Sequence, residues 1–398
     1  MSIHGAFRFH NVGQGLFYSG LLSTRLSSRH EIFSFVYDCG TNSPMSFLQR
    51  EIDDYKLLLK TAGSGRNKKL NLLVISHLHD DHVNGLEYLL KNVDVDTVVM
   101  PYASEDIKFM ARLESEGDSD FLQTFYIDPV GWFVSRGVRR IFLLGSEEEE
   151  IFEERNDLSE VLDANVDDGV DVRNIHYIEN VDGTRVIHLK NNTLVSFKNV
   201  AWKFQLVNHK IESDKVESYM QVVYDFLGNN HLTLEQLFKS RLSLNRLKQK
   251  IKTEKLNSIL NRTSVVLLHE PLCDGMLLQQ NSKPCEVCSF HSKCVWLDAP
   301  EKSTYCRTIL TGDIELKVNE SIEGIDVDPD YRCLVLQYPH HGAKNDRIDY
   351  FRKLNAEYNV ISYGIVNRYG HPCKEVLRLG SNSVFVTERE AFDYQVIT

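Results

Sequence analysis

Four potential metal ligands within six residues constrain this chain more than any other feature of its sequence. They are His77, His79, Asp81 and His82. The apolar run 70–75 before them is typical of a strand buried on both faces, and the pattern 83–90 after them is typical of a helix. This alternation argues for an α/β fold, with the ligands in a loop at the carboxyl edge of a strand, where open α/β sheets place their sites.

The spacing inside the run predicts two neighbouring ion sites. In an extended segment, residues two apart point the same way, so His77 and His79 can bind one ion together. Asp81 and His82 lie where the chain turns into the helix and can face a second ion. Such ligands suit zinc, manganese or iron, and two ions roughly 3.5–4 Å apart can activate water against a phosphoryl or acyl group. The competing interpretation is a surface loop that carries histidines by chance.

Further motifs accompany this run in a defined order along the chain. They are Asn11-Val12-Gly13-Gln14-Gly15, Asp38-Cys39-Gly40, Asn261-Arg262-Thr263-Ser264-Val265-Val266-Leu267, Leu310-Thr311-Gly312-Asp313, Pro339-His340-His341-Gly342 and Tyr369-Gly370-His371-Pro372. With the run at 77–82, they resemble the metallo-β-lactamase superfamily, and within it the hydrolase domain of ComEC-type DNA-uptake channels and its free-standing bacterial relatives. The resemblance implies one α/β domain over residues 1–398, folded as an αββα sandwich with the site at one rim.

The resemblance also implies roles for residues outside the run. Asp313 would be the carboxylate shared by both ions, and His340 or His341 would bind the second ion, with His340 preferred because it directly follows a predicted strand. Asp38 would fix a ligand imidazole through a hydrogen bond, with a plain turn aspartate as the alternative. His371 would protonate the leaving group or hold a phosphate oxygen, with an ordinary loop histidine as the alternative.

One ligand of the wider superfamily has no obvious counterpart in this chain. The superfamily has a further histidine, usually in a Gly-His-Thr context, between the histidine run and the acidic ligand. His209, at the end of a predicted strand, is the best-placed substitute. Without it, the first ion keeps only His77, His79 and Asp313.

Three insertions are expected within the domain. The first, at 146–190, is acidic and is interpreted as a surface segment. The second, at 212–258, is helical with a basic end, and its apolar stripe would be Leu244, Leu247 and Ile251. The candidate nucleic-acid contacts on that basic end are Arg246, Lys248, Lys250 and Lys252. The alternative for these cations is a solvated helix face.

The third insertion, at 270–306, is a hairpin rich in cysteine. Its cysteines are Cys273, Cys285, Cys288, Cys294 and Cys306. A Cys-x-x-Cys pair can bind one ion with both thiolates, and two more cysteines complete a tetrahedron, so a structural zinc is predicted. The spacing of the three central cysteines also resembles the iron–sulfur clasp of Cas4-type nucleases, which keeps a 4Fe-4S cluster as an alternative. Ordinary thiols are the third interpretation.

Composition narrows the class of protein further. The net charge of −11 argues against general nucleic-acid binding, although a local basic groove is compatible with it. The sequence shows neither a signal-peptide pattern at its start nor an apolar run of membrane-spanning length. A cytoplasmic protein without a membrane partner is therefore expected.

These patterns together predict a metal-dependent phosphodiesterase or nuclease, with two zinc or manganese ions and a nucleic acid or nucleotide as substrate. Asp81 would orient the attacking water and accept its proton. Family analogy adds a role in DNA handling or anti-phage defence, with a protein partner from the same operon. Two alternatives stay open: a hydrolase of a small ester, lactone or phosphocholine, and a non-catalytic metal-binding sensor.

Overall fold

In a computed structural model, the chain forms two sheets that pack face to face, with helices on their outer sides. The structure describes residues 2–26, 29–62, 69–117, 119–145, 165–167, 170–197, 200–209, 213–256, 259–272, 306–325, 332–345, 347–380 and 382–397.

Strands make up most of the regular structure in the described residues. They are β1 Ser2–Phe9, β2 Phe17–Leu26, β3 Arg29–Cys39, β4 Lys69–Val74, β5 Asp94–Pro101, β6 Arg140–Leu144, β7 Asn165–Asp167, β8 Val170–Val172, β9 Ile175–Val181, β10 Thr184–Leu189, β11 Thr193–Phe197, β12 Trp202–Asn208, β13 Val265–Pro271, β14 Thr308–Leu310, β15 Cys333–Gln337, β16 Ala356–Ser362, β17 Ser383–Val386 and β18 Phe392–Ile397.

Helices follow the strands on both outer faces. They are α1 Met45–Ala62, α2 Asp80–Val83, α3 Leu86–Leu90, α4 Glu105–Glu114, α5 Asp120–Phe125, α6 Pro129–Val134, α7 Ser213–Asn229, α8 Leu234–Lys239, α9 Arg241–Thr253 and α10 Ile348–Lys353. Short 3-10 turns lie at Leu260–Thr263, His340–Gly342 and Val376–Arg378.

The order of the strands brings one end of each sheet to a common rim. The first sheet runs β18-β1-β2-β3-β4-β5-β6-β10-β9, and β3 to β6 are parallel. The second runs β17-β16-β15-β14-β13-β12-β11-β8-β7, and β14 to β17 are parallel. Carboxyl ends of parallel strands share an edge, so the segments after β4, β14 and β15 can meet.

Three apolar clusters support this arrangement. The central one lies between the sheets and combines Phe35 of the first sheet with Trp202 and Phe204 of the second. A second packs α1 and α3 to α9 against the outer face of the first sheet, and a third packs α10 against the outer face of the second. The predicted αββα sandwich is therefore confirmed.

The three predicted insertions differ in outcome. The helical one contains α7 to α9, with Leu247 and Ile251 buried and Leu244 partly buried. The acidic one is corrected, because its described part supplies β7 to β10 at the edges of both sheets. Alternating apolar residues of short strands were hidden there among aspartate-rich turns.

The cysteine segment is described only at its two ends. Cys273, Cys285, Cys288 and Cys294 lie outside the described residues. Cys306 is described as a buried free thiol, and burial, followed by the charge of Glu270, raises its pKa to about 11. The predicted structural metal therefore stays a prediction. Within the described residues, no helix has the length and apolar character needed to cross a membrane.

A buried polar chain crosses the space between the sheets at His269. The Trp202 indole N–H donates to His269 Nδ1 at 3.2 Å, and His269 Nε2 lies 2.8 Å from the Tyr18 hydroxyl. The Tyr18 hydroxyl lies 2.7 Å from that of Tyr394. Burial lowers the pKa of His269 to about 3, so the imidazole is neutral and accepts the indole proton.

This neutral histidine predicts a loss of stability in acid. The unfolded chain protonates His269 near pH 6.5, whereas the folded chain resists protonation until about pH 3. The histidine's stabilising contribution is therefore complete above pH 6.5 and falls as pH decreases. When the pH falls from 7 to 4.5, we expect the unfolding free energy of the wild type to decrease by about 2–3 kcal/mol more than that of His269→Phe. Urea unfolding at both pH values measures this, with exposed His231→Gln as control; an equal loss in all three proteins would contradict it.

Candidate metal centre

The histidine run leaves β4 and crosses the rim toward the second sheet. The Ser76 carbonyl accepts a hydrogen bond from the Val265 backbone N–H at 2.8 Å, which ties the loop to the start of β13. The chain then turns into α2, whose first turn contains Asp81 and His82. The predicted position, between a buried strand and a helix at a strand's carboxyl edge, is confirmed.

Close backbone packing fixes this loop from behind. A Cβ on Gly40 would lie 2.4 Å from the Asp81 carbonyl carbon and 2.5 Å from the His82 nitrogen. Gly15 approaches the same loop, and its φ of +148° lies in a region that favours glycine. Gly15 and Gly40 therefore let the backbone of the ligand loop pack directly against the turn at 11–15 and the end of β3.

This packing predicts a large effect of one methyl group. In Gly40→Ala the added carbon meets backbone atoms of Asp81 and His82 and must displace both ligands, so we expect a stability loss of about 1–3 kcal/mol and at least roughly tenfold weaker ion binding. Gly228→Ala in α7 meets nothing within 4 Å and should gain up to about 1 kcal/mol. Zinc titration and thermal unfolding of both variants test this; wild-type zinc affinity in Gly40→Ala would refute the packing argument.

Asp38 holds the ligand loop from inside the protein. It is fully buried, its φ is +57°, and its carboxylate accepts from the Ser76 N–H and the Ser76 hydroxyl, each at 2.6 Å. It also faces His82 Nδ1 at 2.7 Å. Since a carboxylate accepts, Nδ1 carries the proton and the lone pair of His82 lies on Nε2. Asp38 thus stands where the sequence predicted it, against a ligand imidazole.

His77 and His79 face each other through their inner ring nitrogens. His77 Nε2 lies 3.0 Å from His79 Nδ1. The outer nitrogens already have partners: His77 Nδ1 lies 2.9 Å from the Ser76 hydroxyl, and His79 Nε2 lies 3.3 Å from the Glu114 carboxylate. Two nitrogens that face each other at this distance are suited to share one cation.

Asp313 and His341 complete a second group beside the first. His82 Nε2 lies 3.3 Å from Asp313 Oδ1, and His341 Nε2 lies 3.6 Å from Asp313 Oδ2 and 3.3 Å from Asp81 Oδ2. The outer nitrogen of His341 lies 2.9 Å from the Ser362 carbonyl, so it carries the proton. Asp313 therefore lies between the imidazoles of His82 and His341, as expected for a shared carboxylate.

The donor set fits divalent ions. Within the described residues, two groups have ligand atoms mutually within 4.8 Å: one is His77, His82 and Asp313, the other Asp81, His82 and His341. Three buried atoms of these groups lack hydrogen-bond partners: His82 Nε2, His341 Nε2 and Asp313 Oδ1. Buried polar atoms are rarely left unpaired, and these three converge on the same space. A bound cation would give these three atoms a partner.

Electrostatics of the ion-free cluster point the same way. Although burial opposes it, the charges of Asp313 and Asp38 hold the pKa of His82 well above its usual value. Burial opposes ionisation of Asp313 as well, but His341 and His82 hold its pKa well below the usual range. Burial, with His82 and His79 nearby, keeps the pKa of His77 low. The charges around the cluster thus favour positive charge next to His82 and Asp313.

The cluster opens into a cleft of about 240 Å³. The side chains that border it include Glu114, Asn261, His340, Tyr369 and His371. None of the described residues that line it is lysine or arginine. Positive charge for an anionic substrate would therefore come from bound cations.

Of the two neighbouring histidines predicted as alternatives for the second ion, the structure brings His341 into a ligand group. His341 is buried and joins the second group, whereas His340 is about a third exposed and lies 3.9 Å from Asp313. The preference for His340 is therefore corrected. The reason is local: His341 is held by the Ser362 carbonyl, while His340 turns toward Asn261 and the ring of His371, 5.2 Å away.

His371 and His209 have different positions relative to the cluster. His371 borders the cleft, and burial together with His340 and His341 lowers its pKa to about 4. His209 instead accepts from the Arg262 guanidinium at 2.9 Å and faces Glu320, so the structure does not bring it to either ligand group. His209 therefore does not join His77 and His79 in the structure.

The basic helix α9 reaches the rim of the cleft through one residue. Lys248 donates to the Ser115 carbonyl at 2.7 Å, and Ser115 lines the cleft. Its ammonium is therefore bonded to the protein at the rim, and its predicted role as a nucleic-acid contact stays a prediction. Arg246 and Lys252 are exposed and Lys250 is half-buried, and their predicted contacts stay predictions.

Sequence reasoning missed several residues that support the ligands. Ser76 could have been noticed, since it directly precedes the run. Glu114 and Ser362 had no local signal because they are distant in sequence. Asp80 lies within the run, but its carboxylate accepts from the Tyr126 hydroxyl and the Glu116 and Gly117 N–H groups, which holds the loop beside the cleft.

Comparisons with known proteins agree with this geometry. Residues 29–154 match the family model of the Metallo-beta-lactamase superfamily. A segment of 72 residues is 38% identical to ComE operon protein 3 of Bacillus subtilis (strain 168) and covers 18% of this chain and 9% of that protein. The match therefore covers only a small part of the length of that relative. The resemblance to the metallo-β-lactamase superfamily is confirmed over residues 29–154, and the similarity to ComE operon protein 3 supports it.

Proposed function

We propose that this protein is a two-metal hydrolase of phosphodiesters, with nucleic acid or a nucleotide as substrate. The observation that carries the proposal is the pair of adjacent ligand groups that share His82, with Asp313 between the imidazoles. The similarity to ComE operon protein 3, and the ComEC-like order of motifs from residue 11 to residue 372, favour a nucleic-acid substrate. By the same analogy, the reaction would serve DNA handling or anti-phage defence.

Each ion would be held by residues from both sheets. His77 and His79, whose nitrogens face each other, would hold the first together with Asp313, and Asp81, His82, His341 and Asp313 would hold the second. His82 also lies within reach of the first ion, whereas His79 is in neither of the two groups whose ligand atoms are mutually within 4.8 Å. Divalent ions at such a site lower the pKa of water and polarise a phosphoryl oxygen. Zinc or manganese suits the mixed imidazole and carboxylate donors.

Residues at the mouth of the cleft would position the substrate. Asp81, with a carboxylate oxygen 3.3 Å from His341, can orient a water and accept its proton at the other oxygen. His371 is neutral at pH 7 because its pKa is lowered, so it offers one N–H to a phosphate or leaving-group oxygen. Asn261 carries a buried side-chain oxygen without a partner and lines the same cleft, where it can accept from a substrate hydroxyl or amine.

The lining of the cleft favours a second candidate on one point. Acidic side chains border it without any lysine or arginine among the described lining residues, and the net charge of the chain is −11. Such a field repels polyanions. A small ester, lactone or phosphocholine-type substrate would avoid this repulsion and use the same ligands.

Hydrolysis assays with matched substrates separate the two candidates. Single- and double-stranded DNA, RNA, cyclic nucleotides and small esters are incubated with the protein in Mn²⁺ or Zn²⁺. We expect metal-dependent cleavage of a phosphodiester that is lost in an Asp81→Ala, His82→Ala double variant. Ester or lactone turnover without phosphodiester cleavage would favour the second candidate. Equal phosphodiester cleavage by the double variant would refute the assignment of the site.

A further inference from the structure

Glu114 contacts the histidine run from the side opposite the ion position. It ends α4, its side chain is 15% exposed, and one carboxylate oxygen lies 3.3 Å from His79 Nε2. Across the same imidazole, Nδ1 lies 3.0 Å from His77 Nε2. Glu114 itself belongs to neither ligand group.

The contact determines which nitrogen of His79 can bind an ion. A carboxylate only accepts, so the proton of the neutral imidazole is drawn to Nε2, which leaves the lone pair on Nδ1. The same reasoning applies to His77: the Ser76 hydroxyl donates to Asp38 and therefore accepts from His77 Nδ1. The two lone pairs then face each other across 3.0 Å.

We propose that Glu114 is a positioning residue that orients His79 and raises its basicity toward the first ion. The inference rests on the proposed function only in that the cluster binds divalent ions. A carboxylate behind a metal-binding histidine fixes the ring and strengthens its bond to the ion. Glu114 thereby tightens the binding of the ion that the pair of His77 and His79 shares.

The helical segment α7 to α9 holds Glu114 in place from outside. Tyr219 of α7 is fully buried, and neither its hydroxyl nor Glu114 Oε1 has a hydrogen-bond partner among the described residues. Burial, followed by the charge of Glu114, raises the pKa of Tyr219. Lys248 of α9 fixes the carbonyl of the next residue, Ser115. These helices thus support the end of α4 that carries the carboxylate.

Metal binding by four variants of the full chain tests the proposal. We expect Glu114→Ala to weaken the first ion about 10–100-fold in zinc or manganese titration calorimetry, with the second ion at its wild-type affinity. Glu114→Gln keeps an acceptor without the charge and should lie between. Glu105→Ala removes an exposed glutamate of the same helix and should bind like the wild type. Tyr219→Phe removes only the outer hydroxyl and should weaken the first ion slightly.

A spectroscopic readout separates positioning from general damage. With Co²⁺ as the probe ion, Glu114→Ala should change the visible absorption of the ion bound at His77 and His79 only, while circular dichroism keeps the wild-type fold. Two wild-type affinities in Glu114→Ala would overturn the inference and leave the hydrolase proposal intact. A wild-type chain that binds no ion at this cluster would overturn both.

Discussion

Replacing Asp313 by asparagine is expected to reduce hydrolysis by at least about 10³-fold, which corresponds to about 4 kcal/mol of transition-state stabilisation. One oxygen of this carboxylate faces His82 at 3.3 Å, and the other faces His341 at 3.6 Å. The asparagine keeps the shape but turns one acceptor into a donor and removes the charge. Both ions lose a ligand in one substitution, so no other single change at the site should reduce activity more.

Rates of metal-dependent cleavage, measured with saturating Mn²⁺ and in parallel with Asp349→Asn, check this effect. Asp349 is an exposed aspartate of α10, and its variant should keep the wild-type rate. A loss of less than tenfold in Asp313→Asn would show that this carboxylate is not shared by the ions.

Removing the carboxylate of Asp38 is expected to be the most damaging change to the structure of the site. Three donors lose their acceptor in Asp38→Ala: the Ser76 N–H, the Ser76 hydroxyl and His82 Nδ1. Each unsatisfied buried group costs about 1–3 kcal/mol, so a total loss of roughly 3–5 kcal/mol is expected after partial rearrangement. Ion affinity should also fall about 10–100-fold because His82 loses its orientation.

Urea unfolding and zinc titration of Asp38→Ala measure the two effects separately. Asp96→Asn is the matched control, since Asp96 forms a salt bridge with the buried Arg140, and both lie near the other end of their strands. That variant should lose stability but keep wild-type zinc affinity. An Asp38→Ala protein with unchanged zinc affinity would show that Asp38 only stabilises the loop.

Much of the site could be predicted because its ligands follow buried strands directly. The run 77–82 follows β4, and Asp313 follows β14. An apolar strand pattern with polar ligand residues after it was therefore enough to predict the positions of these ligands. Asp38 and Gly40 were predicted from the order of motifs. The structure adds the physical reason for the glycine, which is the backbone of Asp81 packed against it.

Features that depend on contacts distant in sequence could not be predicted. His340 and His341 are adjacent, and the Ser362 carbonyl on another strand decides which of them faces the cluster. Glu114 reaches His79 from a different helix, 35 residues later. His209 follows a strand as a ligand should, but Arg262 and Glu320 engage it instead. The strands β7 and β8, with three residues each, were too short for a clear pattern.

The most direct test of a two-ion site is the metal content of the purified chain and of two single-ligand variants. Mass spectrometry after dialysis against zinc or manganese counts the ions in the wild type, in His77→Ala, in His341→Ala and in the double variant that combines the two substitutions. The differences between proteins are compared, because the cysteine segment can add an ion to every total. We predict that each variant loses a different single ion and that the double variant loses two. A double variant that loses only one ion relative to the wild type would contradict the two-ion site.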